Sequence, residues 1–139
     1  MKAPSFVDTN VLLYSIDPSD SRKLAIAAEI LDRDNLVLSL QVLQEFVAQA
    51  TNSRKEWAIP LETAAAFTRT WRRYPVVTTT LELFDRSLAI ASRYHFSYWD
   101  SSILAAAALA GADTILTEDL QHDQVVEGIR VLNPFRDSR

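Results

Sequence analysis

Residues 5–10 read Ser5-Phe6-Val7-Asp8-Thr9-Asn10, a short strand-forming run that stops at a carboxylate. The same grammar returns late in the chain, where Thr114-Ile115-Leu116-Thr117 runs into Glu118 and Asp119. Between them, Asp100 opens an almost uncharged stretch, Ser101-Ser102-Ile103-Leu104 followed by four alanines. Carboxylates at the ends of buried elements repel one another where they converge. Such a cluster persists only by sharing protons or by holding a hard cation. Asp8, Asp100 and Asp119, with Glu45 as a fourth, are therefore candidate ligands of a divalent metal. Phosphoryl-transfer chemistry is the leading use of such a site.

Working outward, short apolar strands alternate with helical periodicity. Leu24, Ala27, Ala28 and Leu31 recur at helical spacing after the first strand. Leu36-Val37-Leu38 reads as a second strand, and Ser39 caps a helix with Val42, Leu43, Phe46, Val47 and Ala50 on one face. Pro60 breaks the chain before a helix over residues 61–71, and Val76-Val77 is a brief strand. Thr79-x-x-Glu82 reads as a capping box opening a helix with Leu81, Phe84, Leu88 and Ala91 in register. Ser97-x-x-Asp100 is a similar box, and Gly111 suits the C-terminal cap of the helix it opens. Residues 114–116 and 129–132 supply the remaining strands.

This order predicts an α/β fold of three layers, a central parallel sheet with helices on both faces. It predicts a single domain over 1–139 with a loosely held tail over 133–139. In an open parallel sheet, ligands bind beyond the carboxyl ends of the strands. Asp8 and Asp119 both lie just past such ends. Asp100 falls in the first turn of a helix whose N-terminus directs partial positive charge at an anion.

Composition narrows the chemistry. The 139 residues hold no cysteine, which excludes disulfides and thiolate catalysis. Only His95 and His122 supply imidazole, which argues against a zinc enzyme. The longest apolar run, residues 103–111, is too short to span a bilayer, and the N-terminus lacks a signal-peptide core. A cytoplasmic protein is the default expectation. The net charge of −4 looks wrong for a nucleic-acid binder. Setting the four candidate ligands aside leaves 14 acidic residues against 14 Lys and Arg, so a metal-loaded surface is near neutral.

Each residue also has a plainer reading. Asp8 suits a turn, Asp100 a helix cap shared with Ser97, and Asp119 a cap on residues 120–124. Glu45 falls to one side of the Val42-Phe46-Ala50 stripe, where a solvated glutamate also belongs. Glu118 is an alternative ligand to Asp119. Trp57, Trp71 and Trp99 suit core or interface positions before base-stacking ones.

The chain resembles PIN-domain proteins, and specifically the VapC-type toxins of bacterial and archaeal toxin–antitoxin pairs. The matching pieces are the nine residues from Phe6 to Tyr14, then Gln44-Glu45-Phe46, then Tyr98-Trp99-Asp100-Ser101-Ser102-Ile103, then Ile115-Leu116-Thr117-Glu118-Asp119-Leu120. They occur in the family's order and span most of the chain. The resemblance maps the family's four acids onto Asp8, Glu45, Asp100 and Asp119, and its polar helpers onto Thr9, Asn10 and Thr117. One departure is Asp123, where relatives often carry glycine.

The resemblance implies a Mg²⁺-dependent endoribonuclease, with Mn²⁺ as substitute, acting as the toxin of a type II pair. It implies an RNA substrate, a separately encoded antitoxin and a homodimer. Arg54, Lys55, Arg69, Arg72 and Arg73 are candidate contacts to the RNA backbone, or else solvated helix ends. The stretch over residues 64–71, with Trp57, suggests aromatic surface available for an interface. Other readings remain: an RNA-processing nuclease outside a toxin–antitoxin pair, a catalytically idle RNA- or protein-binding module, or a phosphatase or receiver domain. A haloacid-dehalogenase phosphatase needs a second Asp where Asn10 stands, and a receiver needs a late lysine that this chain lacks.

Overall fold

The computed structural model describes residues 2–137. The chain opens with β1 (Ser5–Val7), followed by α1 (Thr9–Tyr14) and α2 (Ser21–Ile30). Next come β2 (Leu36–Ser39), α3 (Leu40–Ala50), α4 (Leu61–Trp71) and β3 (Val76–Val77). The second half holds α5 (Leu81–Tyr94), α6 (Tyr98–Leu109), β4 (Thr114–Leu116), β5 (Val125–Val126) and β6 (Ile129–Leu132). The strands lie in the order β3-β2-β1-β4-β6-β5. β1 runs parallel to β2 and β4, β2 to β3, and β4 to β6.

The chain thus steps outward from β1 to β3, then crosses back to lay β4 against the free side of β1. Right-handed parallel crossovers put α1–α4 on one face and α5 and α6 on the other. α1 contacts α2 and α3, α3 contacts α4, and α6 lies against β2, β4 and β6 as well as α5. The layering is the three-layer α/β arrangement read from the sequence. The reversal of direction between β1 and β4 creates a crevice beyond their carboxyl ends. β5 departs from the expected parallel sheet: it pairs antiparallel with β6 through a tight turn at Glu127 and Gly128, both at positive φ.

The core is continuous. Phe6, Leu12, Leu38, Phe46, Leu104 and Ile115 are fully buried. Phe46 meets the Trp71 ring edge-on at 4.7 Å, and Phe67 stacks on Trp71 at 5.7 Å. Truncating such an aromatic residue in a packed core costs about 3–5 kcal/mol. This cluster corrects the expectation of free aromatic surface on residues 64–71: Trp71 is core, because α3 supplies the ring that covers it.

Three further readings change. Thr80, not Thr79, caps α5, its Oγ1 accepting from the Leu83 amide at 3.1 Å. The buried face of α5 is Leu83, Ser87 and Ile90, whereas Leu81, Phe84 and Leu88 are exposed. Ser87 is small enough to sit beneath α6 and satisfies its hydroxyl on the Leu83 carbonyl at 2.7 Å. The tail is anchored at its start: Phe135 is buried and packs edge-on against Tyr14 at 4.8 Å. Residues 138 and 139 lie outside the described residues.

Asp123 takes φ +67°, the left-handed conformation that glycine adopts freely and aspartate tolerates better than most residues. Its loop keeps a glycine-like geometry without the glycine. No helix among the described residues is long and apolar enough to cross a membrane.

Candidate active site

A cavity of about 440 Å³ opens at the crevice beyond β1 and β4, and all four candidate acids line it. Asp8 directly follows β1 and is the N-cap of α1. Its Oδ1 accepts from the Thr9 amide at 2.7 Å, and its Oδ2 accepts from Thr117 Oγ1 at 2.8 Å. Asp119 stands on the rim, three residues past the end of β4. Asp100 lies in the first turn of α6, where Ser97 caps the helix by accepting from the Asp100 amide at 3.1 Å. Glu45 projects from the middle of α3; its Oε1 accepts from Gln41 Nε2 at 3.0 Å and, more weakly, from Thr9 Oγ1 at 3.4 Å.

The Thr117 hydroxyl is the hub of this site. It donates to Asp8 and accepts from Asn10 Nδ2 at 3.1 Å and from the Asp119 amide at 3.0 Å. One hydroxyl has one donor and two lone pairs, so its capacity is fully used. Through it β1, α1 and the segment after β4 hold one geometry. Thr117 bonds Asp8 and Asn10, and Thr9 bonds Asp8 through its amide and Glu45 through its hydroxyl.

The electrostatics follow from burial and crowding. Burial pushes the Asp8 carboxyl up to about 6; the hydrogen bonds from Thr117 and Thr9 pull it down, and the charges of Asp119 and Glu45 add to the rise. Asp119 is also raised, by desolvation first, with Asp100 and Glu118 contributing repulsion and Asn10 opposing it. The acids thus feel one another across the cavity. Among the described residues, however, no three acidic or imidazole side chains are gathered closely enough to hold an ion as they stand. The donor set is entirely oxygen, which fits a hard cation. The buried Asn10 Oδ1, with no hydrogen-bond partner among the described residues, adds an uncharged oxygen beside it.

The plainer readings fare unevenly. Asp8 serves a helix start and the cavity together, whereas at Asp100 the cap is the Ser97 hydroxyl on the Asp100 amide, and the residue itself lines the cavity. Residues 120–124 form no helix, so Asp119 caps none. Glu45 faces the cavity, not solvent alone. Glu118 also lines the cavity, but its carboxylate is already paired: it accepts from Lys23 Nζ at 3.0 Å and from the Tyr14 hydroxyl, and Lys23 also donates to Tyr14 at 3.1 Å.

Of the candidate basic residues only Lys55 lines the cavity. Arg73 donates to the carbonyls of Leu31 and Arg33 and so pins α2 to the start of β3, a structural task. Arg72 lines a separate apolar groove between α3 and α4.

Gln41 and the Tyr14–Lys23 pair are the site residues that sequence reasoning missed. Gln41 is buried on α3 one turn before Glu45 and also donates to the Trp99 carbonyl at 3.4 Å, tying α3 to the start of α6. An i, i+4 Gln–Glu pair was a readable signal. Nothing local could reveal Lys23, which is 95 residues from Glu118.

No curated protein matches the chain in sequence. Solved structures match it in shape. A chain of a toxin–antitoxin complex from Klebsiella pneumoniae superposes with TM-score 0.71 at 19% identity, covering 96% of this chain and 99% of that one. VapC20 of Mycobacterium tuberculosis, described as a sarcin–ricin-loop-cleaving toxin, gives TM-score 0.66 at 21% identity over 83% and 91%. A DNA-bound VapBC from Salmonella typhimurium gives 0.64 at 18% over 94% and 97%. At these identities the likeness establishes the fold. In sequence, residues 5–128 match the PIN domain family, a span that includes the four candidate acids, and the chain belongs to that family.

Proposed function

We propose that this protein is an endoribonuclease dependent on Mg²⁺ or Mn²⁺, and the toxin of a type II toxin–antitoxin pair. The observation that carries the nuclease reading is the convergence of Asp8, Glu45, Asp100 and Asp119 on one cavity at the β1/β4 crevice. PIN-family membership and the toxin-type shape neighbours support it.

Asp8, Asp100 and Asp119 would hold the cation, with Glu45 completing the oxygen set or orienting a water. A divalent cation bound there supplies positive charge against a scissile phosphate and acidifies water. The chain's own residues do the rest. Thr117 and the Thr9 amide fix both oxygens of Asp8, so that carboxylate is presented in one orientation. Gln41 holds one oxygen of Glu45, its Oε1. No covalent nucleophile is required. Lys55 is the basic residue placed to meet the RNA backbone at the cavity, with Arg54 beside it in sequence.

Two partners follow from the toxin reading. An antitoxin would silence the site by laying an arginine against the acids, because guanidinium pairs bidentately with carboxylates. A second copy of the chain would form a homodimer through the exposed Leu81, Phe84 and Leu88 of α5. A cytoplasmic location is the natural one for such an enzyme. The test is cleavage of end-labelled RNA by metal-stripped protein reloaded with Mg²⁺. Release of inorganic phosphate from small esters without RNA cleavage would replace the nuclease reading with a phosphatase one.

A further inference from the structure

The active-site cavity is poor in the charge a polyanion wants. Among the described residues Lys55 is its only basic lining residue, against six acids that include Asp17 and Glu118. The cavity's own side chains thus offer a polyanion little positive charge, and the bases are the other part of an RNA that they can hold. Two tryptophans line the same cavity. Trp99 is 65% exposed, the residue immediately before Asp100, with Tyr98 packed edge-on to it at 5.1 Å. An aromatic ring left this open on an otherwise well-packed helix is not serving the core. Its backbone is held, since Gln41 ties the Trp99 carbonyl to the Glu45 carboxylate. Trp57 is half-buried on the loop after α3, and Lys55 Nζ stands 5.1 Å from its ring. By contrast Trp71 is buried in the α3–α4 cluster and cannot reach a ligand.

We propose that Trp99 and Trp57 are base-stacking residues flanking the acidic site. The inference rests on the nuclease reading and deepens it. Bases in a duplex have their faces covered by neighbours, whereas an unpaired base offers both to an aromatic ring. Stacking is indifferent to the negative potential that the carboxylates create. The cation of Lys55, beside the Trp57 ring, sits where a phosphate flanking the stacked base would pass. The acids then act on a backbone that the tryptophans have positioned, so these two residues govern binding and not the chemical step.

The experiment pairs binding with turnover. Anisotropy of a labelled, unstructured RNA is measured in an Asp8→Asn background, and KM and kcat in the parent background, for Trp99→Ala, Trp99→Phe and Trp57→Ala. A fully paired RNA of the same sequence is the comparator. Each alanine variant should raise Kd and KM roughly 5- to 100-fold with kcat little changed, Trp99→Phe should keep most of the affinity, and paired RNA should bind weakly throughout. Normal Kd and KM in both alanine variants, or equal binding of paired and unpaired RNA, would overturn the inference while leaving the nuclease reading intact. So would a result in which the tryptophan changes weaken only a protein partner's binding. If Trp57→Ala loses its circular dichroism signal, Trp57→Phe replaces it, and the exposed Trp99 carries the test alone. Failure of the nuclease reading is distinguishable, because the unmodified protein would then cleave no RNA with either cation.

Discussion

The Thr117 hydroxyl donates to Asp8 Oδ2 at 2.8 Å across the β1/β4 crevice, joining residues 109 positions apart in sequence. The two strands that present them are register partners, Val7 opposite Leu116. The bond is therefore a direct product of the sheet. Its donor is spoken for on all sides, so the carboxylate it holds has little freedom to turn.

Thr117→Val removes the donor and both acceptor lone pairs while keeping the shape. Asp8 loses a partner in a buried setting, and Asn10 and the Asp119 amide lose theirs in a partly buried one. The loss should be about 1–3 kcal/mol of stability by urea denaturation. It should also move Asp8 further upward, because the Thr117 bond is the largest effect holding its pKa down. Thr117→Ser should be close to the parent. Equal stability of the valine variant would remove the hub.

The raised pKa of Asp8 makes a signed prediction for metal-free protein. The folded-state value of about 6 lies above the ordinary 3.8, so the fold binds this proton more tightly than the unfolded chain does. The stabilising contribution is complete below pH 3.8 and is lost as pH rises through about 6. It amounts to about 2–3 kcal/mol. Asp8→Asn removes this dependence. In EDTA the variant should gain on the parent between pH 4 and pH 7, less whatever its amide loses against Thr117, whose lone pairs are already taken. A parent and variant with parallel stability curves across that range would contradict the shift.

Gln41→Ala tests the residue that orients Glu45. Loss of an orienting partner to a ligand typically costs 10- to 100-fold in activity or metal affinity. Glu45→Gln should cost more, and high Mn²⁺ should recover part of it. Unchanged activity of Glu45→Gln across a Mg²⁺ titration would leave a three-acid site.

The dimer prediction is read by light scattering, which should give about twice the chain mass of 15.6 kDa at micromolar protein. Phe84→Asp and Leu88→Asp place charge on the exposed face of α5 and should yield monomers that keep their helical signal. A monomeric parent would dismiss the dimer.

How far the sequence could be read depends on what each feature needs. The β1, β2 and β4 strands, α4 and the Ser39 and Ser97 caps were legible because short apolar runs and capping residues act locally. Asp8, Asp100 and Asp119 were legible because strand ends and a helix start collect at one edge of a parallel sheet, whereas Glu45, in the middle of α3, was singled out only by the family resemblance. The face of α5 was not. Leu81, Phe84 and Leu88 form the more apolar stripe, yet α6 is an alanine-rich helix that packs close, and closeness favours Ser87 over leucine. The Thr78-Thr79-Thr80 run offers several cap registers, and tertiary packing picks the last. Phe135 packs on Tyr14, at the far end of the chain, and nothing local to the tail reveals that partner.

The most direct measurement is cleavage of a labelled RNA by metal-stripped parent and Asp8→Asn protein, purified side by side, across a Mg²⁺ titration. The parent should be silent without the cation and active with it, while Asp8→Asn, folded by circular dichroism, should stay silent at every concentration. Full Mg²⁺-dependent cleavage by Asp8→Asn, or a parent that cleaves no RNA with Mg²⁺ or Mn²⁺, would contradict the assignment of this cavity as a metal-dependent ribonuclease site.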